Sequence, residues 1–343
     1  MKIWNGYQKG INLGGWFSQC DYSKERYDTF IKDEDFAIIK SWGADHIRVP
    51  VDYELLENPD SSPDESGYDR LKKVIRLCRQ NGLNMILDLH KTAGFSFDRK
   101  EGESGFFESE AYQERFYQLW ENIARHFKDD TDMLAFELLN EVTEKEFKDA
   151  WNRISNTCIQ RIRIIAPSAY ILVGGYYHNS VVAVKDLAMP FDDKIIYNFH
   201  CYEPLVFTHQ GAYWIQKMDL SFRLPVTATF SEMAEADRNI CSISSNAGYE
   251  KFPGDAVLSP AFFESLMAEA VAVADERNVP LYCGEYGVID RAKPQDIVGW
   301  FKMINEAFEK YGIGRAAWSY REMDFGLSDS RLDGVRNELI KYL

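Results

Sequence analysis

The chain has no apolar run approaching a membrane span, no CxxC pair among its six cysteines, and too few basic residues to suit a polyanion. Each shortage removes a class of function. A spanning helix needs about 20 apolar residues in a row. Without metal-ligand spacing, Cys20, Cys78, Cys158, Cys201, Cys241 and Cys283 signal neither a zinc site nor a disulfide framework. They read as small thiols, mostly buried, in a reducing compartment. With 39 Lys and Arg against 54 Asp and Glu, the net charge is -15. That opposes nucleic acid and anionic membranes, because phosphate binding needs a basic field. The opening MKIWNGYQKGINLGG has neither the apolar core nor the small-residue cleavage site of a signal peptide. The expectation is a cytoplasmic protein as written, or a secreted one whose leader has been trimmed, and a monomer.

What is present is a folded domain's composition: 343 residues, 45% hydrophobic and 27% charged. Eight short apolar runs bounded by Gly, Asn or Pro read as strands: GINLGGWF (10–17), HIRVP (46–50), NMILDLH (84–90), AFELLN (135–140), YILVGG (170–175), IIYNFHCY (195–202), LYCGEYG (281–287) and RAAWSY (315–320). Helical periodicity follows each, over 33–42, 68–80, 110–127, 145–165, 180–187, 260–277, 294–311 and 334–342. Gly43, Gly82 and Gly312 stand at expected helix stops, and Pro260 and Pro294 at starts. Eight strand–helix repeats make an α/β chain with a (β/α)8 TIM barrel as its single domain, 1–343. A doubly wound sheet would want GxGxxG after the first strand, and GINLGGW lacks that spacing. The segment 203–258 is too long for a barrel loop. It reads as a helical subdomain inserted after the sixth strand, beside the catalytic face. Packing within the insert is the expected role of its Phe207, Tyr213 and Trp214.

In such a barrel the C-terminal strand ends converge on one mouth. Those ends carry Arg48, His90, Asn140, Glu141, His200, Tyr202, Glu285 and Trp318. Glu141 and Glu285, from the fourth and seventh strands, face each other across the ring. Glycoside hydrolysis needs such a pair: one carboxyl protonates the departing oxygen, and the other attacks the anomeric carbon or activates water. A single strand-end Glu is as readily a structural ion-pair member, but two with polar neighbours point to chemistry. Arg48 and the Tyr202 hydroxyl are expected to keep Glu285 ionised, while a less compensated Glu141 keeps its proton. Asn140 suits the sugar 2-hydroxyl, and Trp318 offers a flat face to a sugar ring. Glu137, inside its strand, reads as an interior carboxylate paired with a cation such as Arg48. His90 and His200 raise a metal alternative, but no HxH or HExxH spacing supports it. His46, His126, His178 and His209 are read as surface or structural.

These segments, AFELLNEV, LYCGEYG, HIRVP, LDLH, NFHCY and AAWSY in this order, resemble glycoside hydrolase family 5 over essentially the whole chain. GINLGGW and the insert resemble its endoglucanase C type most. The resemblance implies a retaining endo-β-1,4-glucanase acting on β-glucan without metal or cofactor. Glu141 matches the acid/base, Glu285 the nucleophile, and Arg48, His90, Asn140, His200, Tyr202 and Trp318 the substrate-binding positions. The chain departs from the family pattern at Lys91-Thr92-Ala93-Gly94, and Val142 stands where Pro is commoner. β-Mannanase, lichenase and exo-β-1,3-glucanase activities of the same family stay open. So do two other classes, a non-catalytic sugar-binding barrel and a metal-dependent barrel hydrolase.

Overall fold

A computed structural model of the chain describes residues 1–240 and 248–343. Eight parallel strands close a barrel in sequence order: β1 (Lys9–Asn12), β2 (His46–Asp52), β3 (Asn84–Lys91), β4 (Leu134–Glu137), β5 (Ile171–Gly174), β6 (Ile195–Cys201), β7 (Leu281–Tyr286) and β8 (Gly314–Ala317). All eight expected strands are present. Several are shorter than their apolar runs because Asn140, Ser319 and Tyr320 lie past the last ladder bonds. The helices Glu110–Phe127 and Pro294–Tyr311 have the expected ends, the second stopping on Gly312 at φ 66. The expected helix over 180–187 is instead a 3-10 turn, Val181–Asp186, and the one over 334–342 divides into two short turns. The helix Lys24–Thr29 was not expected from the periodicity; it presents no buried residue, so it carries no apolar stripe to read.

Alternation along the strands sorts inward side chains into tiers. The lowest is apolar: Ile86, Ala135, Leu172, Ile196, Tyr282 and Ala316 pack with Trp4 and Tyr7. Above it lie buried polar groups, Asn12, Arg48, Asp88, Glu137 and Asn198, and above them the mouth. Outward residues such as Ile47, Val49, Phe136 and Phe199 join the surrounding helices in the main core.

One irregularity aims a key residue. β6 pairs Phe199 with Cys283 but His200 with Glu285, so Gly284 is an extra residue on β7. The bulge resets the alternation and turns Glu285 inward after outward Cys283. Gly is required there, because a Cβ on residue 284 would sit 2.8 Å from the Asn198 side chain and 3.1 Å from His200.

Between β6 and the helix Pro260–Glu276, the chain forms the helices Leu205–Thr208 and Phe230–Ile240 and the turn Tyr249–Lys251. Phe230, Phe252 and Phe262 pack their rings together and join this segment to the barrel's outer layer. Cys241 lies outside the described residues. The other five cysteines are free thiols, Cys20 half-buried and the rest buried.

Candidate active site

Arg48 rises from mid-β2 into the barrel and spends its guanidinium on four strands. Its Nε and Nη2 donate to the two oxygens of Glu137 at 2.7 and 2.8 Å, and Nη1 donates to Asn12 Oδ1 at 2.9 Å and to Glu285 Oε1 at 2.7 Å. Nη2 also donates to Asn140 Oδ1 at 2.9 Å and lies 3.0 Å from Asp88 Oδ2. Arg48 and Glu137 are fully buried. A planar fork of five N–H donors suits this crowd of acceptors better than an ammonium would. Burial pushes Glu137 up from the usual carboxylate range, although the Arg48 charge and hydrogen bonds oppose the rise.

Glu285 takes the guanidinium on Oε1 and the Tyr202 hydroxyl, which donates at 2.9 Å, on Oε2. Burial and that neighbouring carboxylate push the Tyr202 phenol well up, so it stays a donor. Across the mouth, Glu141 follows β4 with φ 44, a left-handed backbone that costs a non-glycine residue of the order of 1–3 kcal/mol. Its Oε1 accepts from His200 Nδ1 at 2.8 Å and its Oε2 from His178 Nδ1 at 2.9 Å. His200 Nδ1 also lies 3.7 Å from Glu285 Oε2, and one oxygen of each glutamate lies within 4.8 Å of the other's. Glu141 and Glu285 are both buried, 8% and 5% exposed.

The remaining expected residues join the same constellation. His90 Nδ1 bonds Asp88 Oδ2 at 2.6 Å, its Nε2 faces the Asn140 amide at 3.5 Å, and its ring lies parallel to Trp318 at 5.8 Å. Burial would lower His90, but the Asp88 charge and hydrogen bond outweigh it and hold the imidazole above its usual range. A Cβ on Gly14 would press 2.6 Å from the Trp318 ring, so the loop after β1 backs that indole closely. Lys91 points away from the carboxyl pair, bonding Glu54 at 2.6 Å and the Tyr22 hydroxyl at 2.8 Å.

Three readings from sequence need correction. Glu141 is not the less compensated carboxyl: burial pushes its pKa up, but the hydrogen bonds and charges of His178 and His200 outweigh burial and hold it well below the usual range. His178 is therefore not a surface bystander. It lies in the turn after β5, four residues past Gly174, beyond a run, YILVGG, whose own end carries only glycine. Finally, Trp214 is 37% and Tyr213 62% exposed, so neither is insert core, whereas Phe207 is fully buried as expected. Rings run from Tyr202 through His209 (5.2 Å) to Trp214 (5.9 Å) and Tyr213 (4.9 Å). His209 is thus part of a packed aromatic file, and burial lowers it to about 4.

Glu141, His200 and Glu285 could also be grouped as metal ligands. The Arg48 guanidinium already bonds Glu285, so a divalent cation there would meet a fixed positive charge at close range.

The cellulase (glycosyl hydrolase family 5) model matches residues 5–324. This chain belongs to glycosyl hydrolase family 5. It is accordingly an O-glycosyl hydrolase. Among family 5 relatives, Cellodextrinase A of Ruminococcus flavefaciens is 50% identical over 310 residues, covering 90% of this chain and 84% of that protein. Endoglucanase C of Acetivibrio thermocellus is 32% identical over 340 residues, 98% of each chain. A hyperthermophilic endo-β-1,4-glucanase solved with substrate shares the fold at TM-score 0.77 and 24% identity, covering 98% of this chain and 97% of that one.

Proposed function

We propose that this family 5 chain is a retaining endo-β-1,4-glucanase that cuts β-glucan by double displacement, with Glu141 as acid/base and Glu285 as nucleophile. The observation that carries the reading is one oxygen of each carboxyl within 4.8 Å of the other's, Arg48 and Tyr202 on Glu285 and two imidazoles on Glu141. Retaining enzymes hold their carboxyls about 5–5.5 Å apart, whereas inverting ones leave roughly 6.5–9.5 Å for a water. A non-catalytic sugar-binding barrel would have no need of two opposed carboxyls at the mouth.

The first half-reaction follows from the partners. Glu285, oriented by Arg48 and Tyr202, attacks the anomeric carbon while a proton passes from the Glu141 carboxyl to the leaving oxygen. In the second half Glu141 takes a proton from the water that displaces Glu285. Asn140, fixed by Arg48, is placed beside the acid to bond the sugar 2-hydroxyl. Trp318 and His90 form a parallel pair along one wall. Exposed Trp214 and Tyr213, at the end of the ring file that starts at Tyr202, are the contacts proposed for remote sugars, whose binding energy can serve the reacting centre. Names of the relatives support β-1,4-linked glucans, and the more similar one is named for cellodextrins, so short soluble oligosaccharides belong in the assay. Reducing-sugar release should be greatest on β-1,4-glucans, ahead of mannan and β-1,3-glucan. Faster turnover of mannan or β-1,3-glucan would overturn the substrate assignment.

A further inference from the structure

Residues 177–179, just after β5, form an unusual turn. Tyr177, His178 and Asn179 have φ of 53, 56 and 55, three left-handed non-glycine residues in a row. Backbone bonds clip this turn to the one that carries Glu141: the Tyr177 N–H donates to Thr143 O at 3.1 Å and the His178 N–H to Val142 O at 3.0 Å. The turn then grips Glu141 along two routes. His178 Nδ1 reaches Oε2 directly. The buried Asn179 amide faces His200 Nε2 at 3.5 Å, and His200 Nδ1 reaches Oε1. A Cβ on Gly174 would lie 2.3 Å from the Asn179 amide, so that strand-end glycine makes room for the grip.

We propose that His178 is a positioning residue for acid–base catalysis, which aims the Glu141 carboxyl and stores the proton that this carboxyl delivers to the leaving oxygen. The inference rests on Glu141 being the acid/base. One proton is shared by the pair. As the bond from the anomeric carbon to the leaving oxygen breaks, with its electrons staying on oxygen, Glu141 gives that oxygen its proton and the Glu285 oxygen bonds to carbon. When water displaces Glu285, its proton goes to Glu141 and returns to His178. Among the described residues, the charged and titratable groups around the pair include His200 on β6, Tyr202 and His209 beyond it, Glu285 on β7, Arg48 through Glu285, and Lys145 over the Tyr176 ring of the same turn. The His178 side chain is 51% exposed, so its removal opens no cavity in the core.

The test compares kcat/KM, which reports the first half-reaction, on aryl cellobiosides with a dinitrophenyl or a phenyl leaving group. His178→Ala should lose about tenfold or more on the phenyl substrate, which needs the proton, and stay within about threefold on the dinitrophenyl one. Its alkaline limb should move to lower pH, because the remaining acid gives up its proton earlier. His178→Gln can still donate to Oε2 but cannot store a proton. It should recover rate at acid pH and keep the shifted limb. Equal losses on both substrates with an unmoved limb would overturn the proposal and leave His178 a purely structural contact. Glu141→Gln is the control: if it lacks the selective loss, the acid/base reading itself fails; if it shows the loss and His178→Ala does not, only this inference falls.

Discussion

Two carboxylates four residues apart on the same chain segment, Glu137 at the end of β4 in the barrel interior and Glu141 at its mouth, are held by opposite kinds of partner. Glu137 has the guanidinium fork of Arg48 and the Asn198 amide, which donates at 2.7 Å. None of these changes protonation at working pH. Glu141 has two imidazoles, the side chain whose charge switches near neutrality. The difference separates scaffold from chemistry: a permanent cation suits a carboxylate that must stay in place, while a titratable partner suits one that must exchange a proton. Glu285 stands between, with the same permanent cation as Glu137 but a position at the mouth. That arrangement fits the nucleophile's role proposed for Glu285.

The comparison can be broken at each member. Glu285→Gln should lose the most, of the order of 10⁶ in kcat on cello-oligosaccharides, as when a covalent nucleophile is removed. Circular dichroism should show it folded, and ordinary turnover would sink the assignment. Glu141→Gln should lose about 10²–10⁴-fold on unactivated substrates. Its effect on stability has a definite sign: a folded-state pKa held below the unfolded value contributes stability that is present above about pH 4.3 and lost as pH falls further. Urea midpoints of Glu141→Gln should therefore fall less steeply than wild type below that pH. An identical slope would mean that the imidazoles do not stabilise the carboxylate.

Arg48→Met should cost about 3–5 kcal/mol in urea unfolding, because it strands buried Glu137 and Asp88 without their cation. Adding Glu137→Gln to that variant should recover part of the loss, whereas an unchanged midpoint in Arg48→Met would show that the interior network is not held by this charge. The smallest effect is expected at the insert. Trp214→Ala should lower kcat/KM on cellohexaose up to about tenfold, the worth of one aromatic contact, and leave an aryl cellobioside nearly untouched. An equal effect on both would make the insert's exposed rings irrelevant to chain length.

The interior half of this comparison was legible in the sequence, and the mouth only in part. Strand ends and the opposition of β4 to β7 follow from the short apolar runs and from the ring order of a barrel, so Arg48, Glu137, Glu141 and Glu285 can be assigned to their strands by counting. The imidazole grip could not. It depends on Tyr177, His178 and Asn179 adopting left-handed backbone, which carries no hydrophobic period, and on a tertiary clip between two turns. The Gly284 bulge was equally hidden, although LYCGEYG contained the glycine that makes it possible. Glu141 reads as undersupplied in the sequence for the same reason: both of its partners, His178 after β5 and His200 on β6, reach it only through the tertiary fold.

The central claim is that Glu285 forms a covalent glycosyl intermediate with Glu141 as its acid/base partner. It is tested most directly by incubating the enzyme with a 2-deoxy-2-fluoro cellobioside that carries a dinitrophenyl leaving group, then mapping the labelled peptide by mass spectrometry. One fluorocellobiosyl adduct is expected, on Glu285 within LYCGEYG. An adduct on Glu141 or Glu137, or inactivation without any covalent label, would contradict it.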